Sequence, residues 1–415
     1  MKRILTLLLF VALFVCANSQ TNYQYRIVQT SDWVYYSPQN PTIEIVVKNS
    51  DGVASQILKV NVSKDTKEHL YFFSQTVSVP KGDSSVVQFT FNVEPGFYRV
   101  NIAEDNAPIK DFNIGYEPTK IISPADNQPD FKEFWNNAKQ ELAQVDPEYK
   151  VIAIKDTQFN NKARKLYLVK MKSLGGVEIE GFYSVPAKKG VYPAEIHYMG
   201  YDSKPWIPGG YDDRIEFVLS TRNQGLLKDT DRDNMWLTWG LDNKDHYYYR
   251  GAFMDLIRAI DFIASRPEVD NTRIVAEGGS QGGAFTLAAA ALDSRLKAIA
   301  PSVPFLSDYP DYFKIVDWPG NWLMDKQREI GMTDEDFYKT LSYFDIKNFA
   351  GWITCPVLMC VGLQDDICPP HTNFSGYNLI KSEKYYNIYP NQAHSAGLEW
   401  WNAKEEFLKR HIYAK

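Results

Sequence analysis

Cysteine and histidine are both scarce in this chain of 415 residues, which holds four Cys and six His. Cys16 lies in an N-terminal apolar run, so only Cys355, Cys360 and Cys368 remain for the body of the protein. An odd, small number of cysteines argues against a disulfide scaffold. Cys368 could pair with one of the other two only if the chain turns back, and buried free thiols are the favoured expectation. No histidine has a ligand spacing such as H-E-x-x-H, so we expect no metal and no cofactor.

Runs of basic residues are missing as well, and the formal net charge is −6, so we expect no nucleic-acid partner. The apolar run Ile4 to Val15 is too short to span a membrane, which takes about 20 apolar residues. Two basic residues precede this run and the small residues Ala17-Asn18-Ser19 follow it, a pattern typical of a cleaved export signal. We therefore expect residues 1–19 to be a signal peptide and the mature protein to be secreted or periplasmic. A lipid anchor at Cys16 is the less favoured alternative.

Short alternating segments dominate the first part of the mature chain. Residues Thr42 to Val47 and Val86 to Phe91 alternate apolar and polar side chains, and turn residues separate such segments. Short strands with frequent turns indicate a β-sandwich. We predict that residues 20–117 form a sandwich domain of the immunoglobulin-like type. Some aromatic residues of this region could bind glycan, although a packing role is favoured for them: Trp33, Tyr35 and Tyr36.

The pattern changes near Pro129, after which strands and helices alternate. Arg273 to Glu277 reads as a short strand, Ala284 to Leu292 as an Ala-rich helix, and Val357 to Val361 as a buried strand. Alternation of this kind indicates a mostly parallel sheet with helices on both faces. We therefore predict that residues 118–415 form an α/β domain.

A glycine-rich segment, Gly278-Gly279-Ser280-Gln281-Gly282-Gly283, lies between that short strand and the Ala-rich helix. This context is typical of a nucleophile elbow, in which a tight turn holds a serine hydroxyl at the edge of the sheet. The N-terminus of the following helix favours negative charge developing there. A phosphate-binding turn is the alternative, but no Lys follows the glycines and the dinucleotide spacing is absent. Ser280 is the candidate nucleophile.

A nucleophilic serine needs a base and an orienting acid, which follow it in the order acid, then histidine, in this fold. His394 is the candidate base because it lies in a loop between a strand and the last helix. His371 follows two prolines and is predicted to begin a helix, and His411 lies on the last helix, so both are less favoured as the base. Asp365 and Asp366 both follow a buried strand, and these considerations leave either one as the acid.

These motifs resemble those of the acetyl xylan esterase and cephalosporin C deacetylase family, an esterase branch of the α/β hydrolases. The elbow resembles the family's GGSQGG, and Val361 to Pro370 resembles its VGL-x-D-x-x-CPP segment, which implies Asp365 as the acid. Met199-Gly200-Tyr201 resembles the family's GY loop. The resemblance implies that backbone N–H groups of Tyr201 and Gln281 form the oxyanion hole.

The sequence departs from the family pattern near these motifs. Arg222-Asn223-Gln224-Gly225 stands where the family has RGQG, Ser220 stands where it usually has Asp, and Ser395 follows His394 where it has Glu. Typical members lack the region before Pro129. Family members assemble as ring-like hexamers, so the resemblance also implies a homo-oligomer.

The resemblance implies a carboxylic ester hydrolase of the α/β-hydrolase fold that removes acetyl groups from oligo- or polysaccharides such as acetylated xylan. The reaction would pass through an acyl-enzyme on Ser280. One alternative is a peptidase or another acyl esterase on the same fold. A second is a carbohydrate-binding protein with a vestigial hydrolase domain, against which the intact Ser280, Asp365 and His394 argue. Because every candidate residue follows Pro129, we expect hydrolysis of a small ester to survive removal of the sandwich.

Overall fold

The computed structural model describes most of the chain, namely residues 23–29, 32–155, 163–229, 231, 233–395 and 397–413. The predicted signal peptide, residues 1–19, lies outside the described residues. Within the described part, no helix is both long and apolar enough to cross a membrane. The described strands form three sheets.

Two of these sheets lie in the N-terminal region. Their strands are β1 (Tyr23–Val28), β2 (Val34–Tyr35), β3 (Thr42–Asn49), β4 (Gln56–Lys64), β5 (His69–Val77), β6 (Ser84–Thr90), β7 (Gly96–Glu104) and β8 (Ala107–Tyr116). One sheet has the order β1-β3-β6 and the other β2-β8-β7-β4-β5. Because successive side chains of a strand point to opposite faces, every second residue of β3 and of β4 is buried, and both rows enter one apolar core. The predicted β-sandwich is confirmed.

The third sheet belongs to the rest of the chain. Its strands are β9 (Lys150–Ala153), β10 (Arg164–Lys172), β11 (Glu178–Pro186), β12 (Tyr192–Tyr198), β13 (Ile215–Ser220), β14 (Val269–Gly279), β15 (Leu296–Ser302), β16 (Val357–Gly362) and β17 (Lys384–Tyr389). Their order is β17-β16-β15-β14-β12-β13-β11-β10-β9. The pairs from β17 to β13 are parallel and the remaining pairs are antiparallel.

Helices cover both faces of this sheet. They are α1 (Phe131–Ala143), α2 (Tyr248–Ala264), α3 (Gln281–Leu292), α4 (Tyr309–Ile315), α5 (Gly320–Glu329), α6 (Asp334–Ser342), α7 (Ile346–Phe349), α8 (Pro370–Leu379) and α9 (Leu398–Tyr413). In β14, Ile274 and Ala276 pack into the core that contains α2 and α3, whereas Val275 packs with Trp400 and Leu408 of α9. The mostly parallel α/β sheet predicted from the sequence is confirmed, and burial on both faces explains the short apolar run Ile274-Val275-Ala276 within β14.

The aromatic residues considered for glycan binding belong to the packing of the sandwich. Trp33 and Tyr35 are 6% and 1% exposed, and the Trp33 ring packs on Phe112. Tyr36 is more exposed, but its hydroxyl lies 3.1 Å from that of Tyr386 on β17. These positions favour the packing role.

The sandwich and the large sheet share an apolar core. Met359, Val361 and Leu363, in β16 and directly after it, are buried in the same cluster as the sandwich residues, together with Phe374 and Tyr377 of α8. Removal of the sandwich would therefore expose apolar surface of the α/β region to water. This packing argues against the expectation that the sandwich can be deleted without loss, while the boundary between residues 117 and 118 stays a prediction.

Polar contacts reinforce this junction next to the candidate acid. The backbone N–H of Asn113 donates to Oε1 of Gln364 at 2.7 Å, and the Asn113 side chain donates to the carbonyl of Leu363 at 3.0 Å. Gln364 directly precedes Asp365. The sandwich thus contacts a loop that carries a candidate catalytic residue.

The cysteines of the described chain carry no disulfide. Cys355, Cys360 and Cys368 are all free and buried, as expected from the small, odd count. Burial raises the pKa of each of these thiols, so they remain neutral near pH 7.

Candidate active site

Ser280 occupies a strained turn between β14 and α3. Its φ of 58° and ψ of −120° lie in a region that residues other than glycine rarely adopt. The Ser280 N–H donates to the carbonyl of Ser302 at 2.9 Å, and its own carbonyl accepts N–H groups from Ala284 and Phe305. Bonds to three other segments hold the strained conformation, so the hydroxyl is positioned at the end of the strand rather than left to rotate with a flexible loop.

Close backbone contacts explain the glycines of this turn. A Cβ atom on Gly282 would lie 2.1 Å from the carbonyl oxygen of Tyr198, and one on Gly278 would lie 2.5 Å from that same oxygen. Neither position has room for a side chain. The absence of side chains lets the start of α3 approach the end of β12, which leads directly into the Met199-Gly200-Tyr201 loop.

Ser280, His394 and Asp365 form one chain of hydrogen bonds. His394 Nε2 lies 3.0 Å from Oγ of Ser280, and Nδ1 lies 2.8 Å from Oδ2 of Asp365. The other carboxylate oxygen of Asp365 accepts N–H groups from Ile367 and Cys368, each at 2.9 Å. Since an ionised carboxylate only accepts hydrogen bonds, Nδ1 carries the proton and Nε2 is left to accept from the serine hydroxyl.

The neighbouring carboxylate and the other downstream histidines lie elsewhere. Asp366 is exposed, whereas Asp365 is 1% exposed. His371 lies between Asp65 and Asp311, and the ring of His411 packs on Phe407. Of the residues considered from the sequence, the structure brings Asp365 and His394 to Ser280.

Tyr201 and Gln281 both lie beside Ser280. Within the described residues, neither backbone N–H has a hydrogen-bond acceptor, so both are available to an oxyanion. The Gln281 side chain is buried and fixed: its Oε1 accepts from the Tyr249 hydroxyl at 2.9 Å and from Nε2 of Gln224 at 3.2 Å. Gln224 also accepts the N–H of Asp202, next to Tyr201, at 3.3 Å.

Gln224 and Tyr249 are therefore supporting residues to which the sequence analysis gave no role. Gln224 lies in the segment that stands where the family has RGQG, but nothing in the sequence of that segment, or around Tyr249, says which side chain points toward the elbow. Arg222 forms a bidentate ion pair with buried Asp255, and this pair fixes the segment that carries Gln224. Ser220, which stands where the family usually has Asp, accepts the N–H of Leu226 at 3.2 Å through its hydroxyl oxygen.

Ser395, which stands where the family has Glu, bonds locally. Its hydroxyl donates to Oε1 of Gln392 at 2.9 Å, and its N–H donates to the carbonyl of Ala393. Ser395 therefore holds the loop that presents His394 without contacting Ser280 or Asp365.

A cavity of about 360 Å³ opens onto the Ser280 hydroxyl, a volume near the lower end of the range of about 300–1,000 Å³ typical of small-molecule sites. Its lining is largely apolar and aromatic: Tyr201, Asp202, Leu237, Ser280, Phe305, Trp318, Pro319, Trp322, Ile367 and His394. Trp318 and Trp322 come from α5 and the segment before it, and their rings meet edge to face at 5.5 Å. The segment of α4 to α7 was not predicted from the sequence.

Two clusters in the described chain combine histidine with carboxylates. In one, His197 Nδ1 lies 2.6 Å from Glu277, which also pairs with Lys404 at 3.0 Å. Burial alone would lower the pKa of His197, but the carboxylates of Glu216 and Glu277 outweigh it and raise the pKa to about 10. The imidazole therefore serves as the charged partner of these carboxylates near pH 7.

The other cluster comprises Asp308, Asp311 and His371. Burial opposes charge on His371, but Asp311 and Asp65 raise its pKa to about 10 as well. Its two nitrogens are used as donors to carboxylates. These contacts are those of an ion cluster in which the imidazolium is already bound by the protein.

A family model and a curated relative match this chain. The family model for acetyl xylan esterase matches residues 112–411. The chain is 27% identical over 437 residues to the acetyl esterase Axe7A of Xylanibacter ruminicola, an alignment that covers 99% of this chain and 97% of the relative.

Solved structures with the same architecture are also found. An acetyl xylan esterase from a Paenibacillus species is 31% identical with a TM-score of 0.67, covering 71% of this chain and 98% of that one. Acetyl xylan esterase 1 from a Thermoanaerobacterium species is 29% identical with a TM-score of 0.65, covering 72% and 98% of the two chains.

Proposed function

Because this chain belongs to the acetyl xylan esterase family, we propose that it removes acetyl groups from carbohydrate by serine catalysis through an acyl-enzyme on Ser280. Family membership makes the chain a carboxylic ester hydrolase. The relatives are named for acetyl esters and for xylan. We extend that substrate class, acetylated oligo- or polysaccharide such as acetylated xylan, to this chain.

One observation carries the proposal: the chain of hydrogen bonds from Ser280 Oγ through His394 to Asp365, at 3.0 and 2.8 Å. In the proposed reaction, Oγ attacks the acetyl carbonyl carbon while His394 Nε2 takes the hydroxyl proton. The carbonyl π electrons move to the oxygen, and a tetrahedral intermediate forms. Asp365 holds the Nδ1–H and stabilises the imidazolium that results.

The intermediate then collapses in two stages. His394 returns its proton to the sugar oxygen, the ester C–O bond breaks, and the acetyl group remains on Ser280. Water, deprotonated by His394, attacks this acyl-enzyme, and acetate leaves as the serine recovers its proton. Both tetrahedral states place negative charge on the former carbonyl oxygen.

The free N–H groups of Tyr201 and Gln281 support the proposal as the oxyanion hole. Each such donor is worth about 3 to 4 kcal/mol in the transition state. The N-terminus of α3, where Gln281 is the first residue, adds a favourable dipole. The Gln224 amide, bonded to Gln281 and to the N–H of Asp202, keeps the two donors at a fixed separation.

The cavity supports a small acyl group with a larger alcohol. Ser280 and His394 lie at its base, where an acetyl group would sit, and Trp318 is 53% exposed at its rim. A tryptophan ring at this position can pack on the apolar face of a sugar while the sugar hydroxyls face water.

Covalent labelling tests the proposed nucleophile. The protein is treated with a fluorophosphonate, digested, and analysed by peptide mass spectrometry. The modification should appear on the peptide of Ser280 and be blocked by prior incubation with substrate. In His394→Ala, labelling should slow by about 10³-fold or more, because the triad acts as a unit. Labelling of another serine at the wild-type rate would contradict the assignment.

We also propose that the protein is secreted or periplasmic and that it self-associates. The support for export is the basic start, apolar run and small-residue site within the first 19 residues, Met1 to Ser19. N-terminal sequencing of the protein recovered from its native host should begin at Gln20. A start at Met1 would contradict the export proposal, and light scattering of the purified protein measures the assembly.

A further inference from the structure

The turn between β4 and β5 is the part of the sandwich that approaches the substrate cavity. It is internally braced: the N–H of Asp65 donates to the carbonyl of Phe97 at 3.1 Å, and that of Lys67 donates to the carbonyl of Lys64 at 2.9 Å. Lys67 adopts a positive φ of 71°. Asp65 and Lys67 both reach away from this turn to the α/β region.

Asp65 enters a partly buried ion cluster with two segments of the α/β region. Its Oδ2 lies 2.9 Å from Nδ1 of His371, in the first turn of α8, and Nε2 of His371 lies 3.3 Å from Asp311 of α4. The side chains of Asp65 and His371 are 13% and 14% exposed. The imidazolium therefore bridges a carboxylate of the sandwich and a carboxylate of α4.

Lys67 makes a second contact a few residues further on. Its Nζ lies 2.8 Å from Oδ1 of Asp317, in the segment that joins α4 to α5. The next two residues, Trp318 and Pro319, line the cavity at Ser280. The Asp317 carbonyl also accepts the N–H of Asn321 at 2.7 Å, so the position of Asp317 is coupled to the start of α5.

We propose that this turn, through Asp65 and Lys67, positions the Trp318 wall of the cavity and thereby determines how well the enzyme accepts the sugar part of its substrate. The inference rests on the proposed function and deepens it. The two contacts fix α4 and the segment after it from the outside. Trp318 itself is 53% exposed, and its ring meets the edge of Trp322 at 5.5 Å.

The proposal separates the two parts of the ester. The acetyl group reacts at Ser280, and none of the hydrogen bonds of Ser280, His394 and Asp365 involves the turn. A small alkyl acetate such as ethyl acetate has neither a sugar nor an aromatic ring to place on Trp318. Loss of the contacts should therefore raise KM for an acetylated oligosaccharide and leave the hydrolysis of the small ester unchanged.

Lys67→Ala and Lys64→Ala form a matched pair for the test. Lys64 lies on the same turn and pairs with Glu68, within the sandwich, at 2.8 Å. Purified full-length variants are assayed by acetate release from ethyl acetate and from acetylated xylo-oligosaccharide. Lys67→Ala should raise KM for the oligosaccharide by about threefold to fivefold, the range of an exposed ion pair, with kcat unchanged. Lys64→Ala should match the wild type on both substrates.

Variants of Asp65 provide a second, independent test of the proposal. Asp65→Ala should raise the oligosaccharide KM more than Lys67→Ala does, and Asp65→Asn should recover most of it because the amide oxygen still accepts from His371. Trp318→Ala, which changes the cavity wall itself, should raise the oligosaccharide KM by about fivefold to tenfold. Thermal unfolding of each variant is measured alongside, and Lys67→Ala, a surface change, keeps the test valid if Asp65→Ala unfolds.

Two outcomes would overturn the inference. The first is equal change on both substrates, which would mean that the contacts serve stability alone. The second is an unchanged oligosaccharide KM in Lys67→Ala and in a folded Asp65 variant. Failure of the proposed function itself would look different, because the wild type would then release no acetate from the acetylated oligosaccharide.

Discussion

Asp365 and Asp366 are neighbours in the sequence with opposite surroundings in the structure. Asp365 is buried and accepts three hydrogen bonds, from His394 and from two backbone N–H groups, while Asp366 is exposed. The resemblance to the family motif implied Asp365 as the acid. Reasoning from the residues alone left both, because each carboxylate follows the same strand. The deciding property is the direction of the side chain after β16, which depends on the turn that Asp365 itself stabilises.

We predict that Asp365→Asn lowers kcat on a small acetyl ester far more than Asp366→Asn does. An amide at position 365 no longer forces the proton onto Nδ1, so Nε2 loses its role as base. The expected loss at Asp365 is on the order of 10⁴-fold, and Asp366→Asn should stay within about twofold, as surface changes away from the site do. Steady-state rates with both proteins shown to be folded measure this, and comparable losses would reverse the choice.

His371 gives the sandwich junction a pH dependence. The groups facing it are Asp65, Asp308 and Asp311, with Lys314 and Lys347 paired to the last two. Its pKa is raised from the ordinary 6.5 to about 10, as Asp311 and Asp65 outweigh burial. A raised pKa stabilises the folded state fully below about 6.5, and this stability is lost as the pH rises through about 10.

We therefore predict that Asp65→Asn lowers the free energy of unfolding by about 1 to 2 kcal/mol at pH 6, and that this difference shrinks as the pH rises through about 10. Above that pH the imidazole is neutral in both proteins, and the difference should approach zero. Chemical denaturation across this pH range measures the difference. Asp111→Asn, in an exposed pair with Arg99, is the control. A wild-type advantage that stays constant with pH would contradict the account.

At the scale of elements, the predictable parts are those fixed by local rules. The elbow could be located because Gly278 and Gly282 leave no room for side chains, and the surrounding strand and helix follow from apolar patterning. Helices α4 to α7 could not be predicted, because they are short amphipathic segments whose packing surfaces lie on other elements. These helices carry the aromatic wall of the cavity. The role of Gln224 could not be predicted either, because it depends on a contact with Gln281, 57 residues away in sequence.

We predict that Gln224→Leu lowers kcat by about 10-fold to 10²-fold with KM little changed. The amide fixes Gln281 and the N–H of Asp202, and a misplacement of about 1 Å in a catalytic group has an effect of that size. Leu226→Ala, in the same segment and 36% exposed, is the control and should behave as the wild type. Equal rates for Gln224→Leu and wild type would show that the oxyanion donors hold their positions without the amide.

At the scale of the whole molecule, the sequence patterns predict the β-sandwich and the α/β sheet, but not the apolar core that the two share. Alternation shows that one face of β4 is buried, but not that the same core includes Phe374 of α8. The Phe97 and Phe374 rings are 5.7 Å apart across the junction. Such a contact joins residues distant in the chain, and no local pattern encodes it.

We predict that a chain starting at Pro118 is much less stable than the full-length protein or insoluble. The exposed residues of β16 and α8 would each lose the stabilisation of burial, about 1.5–3 kcal/mol for a large apolar side chain. Thermal unfolding and light scattering compare the two proteins. A soluble fragment that unfolds cooperatively near the full-length temperature, and hydrolyses a small ester within about tenfold of it, would restore the expectation drawn from the sequence.

The central claim is that this protein deacetylates carbohydrate with Ser280 as nucleophile. The most direct measurement is acetate release from acetylated xylan by the wild type, Ser280→Ala and Ser302→Ala, with Ser302 lying on the adjacent strand and bonded to Ser280 through its backbone. The account predicts release by the wild type and by Ser302→Ala, and a loss of at least about 10³-fold in folded Ser280→Ala. Acetate release by folded Ser280→Ala at a rate near that of the wild type would contradict it.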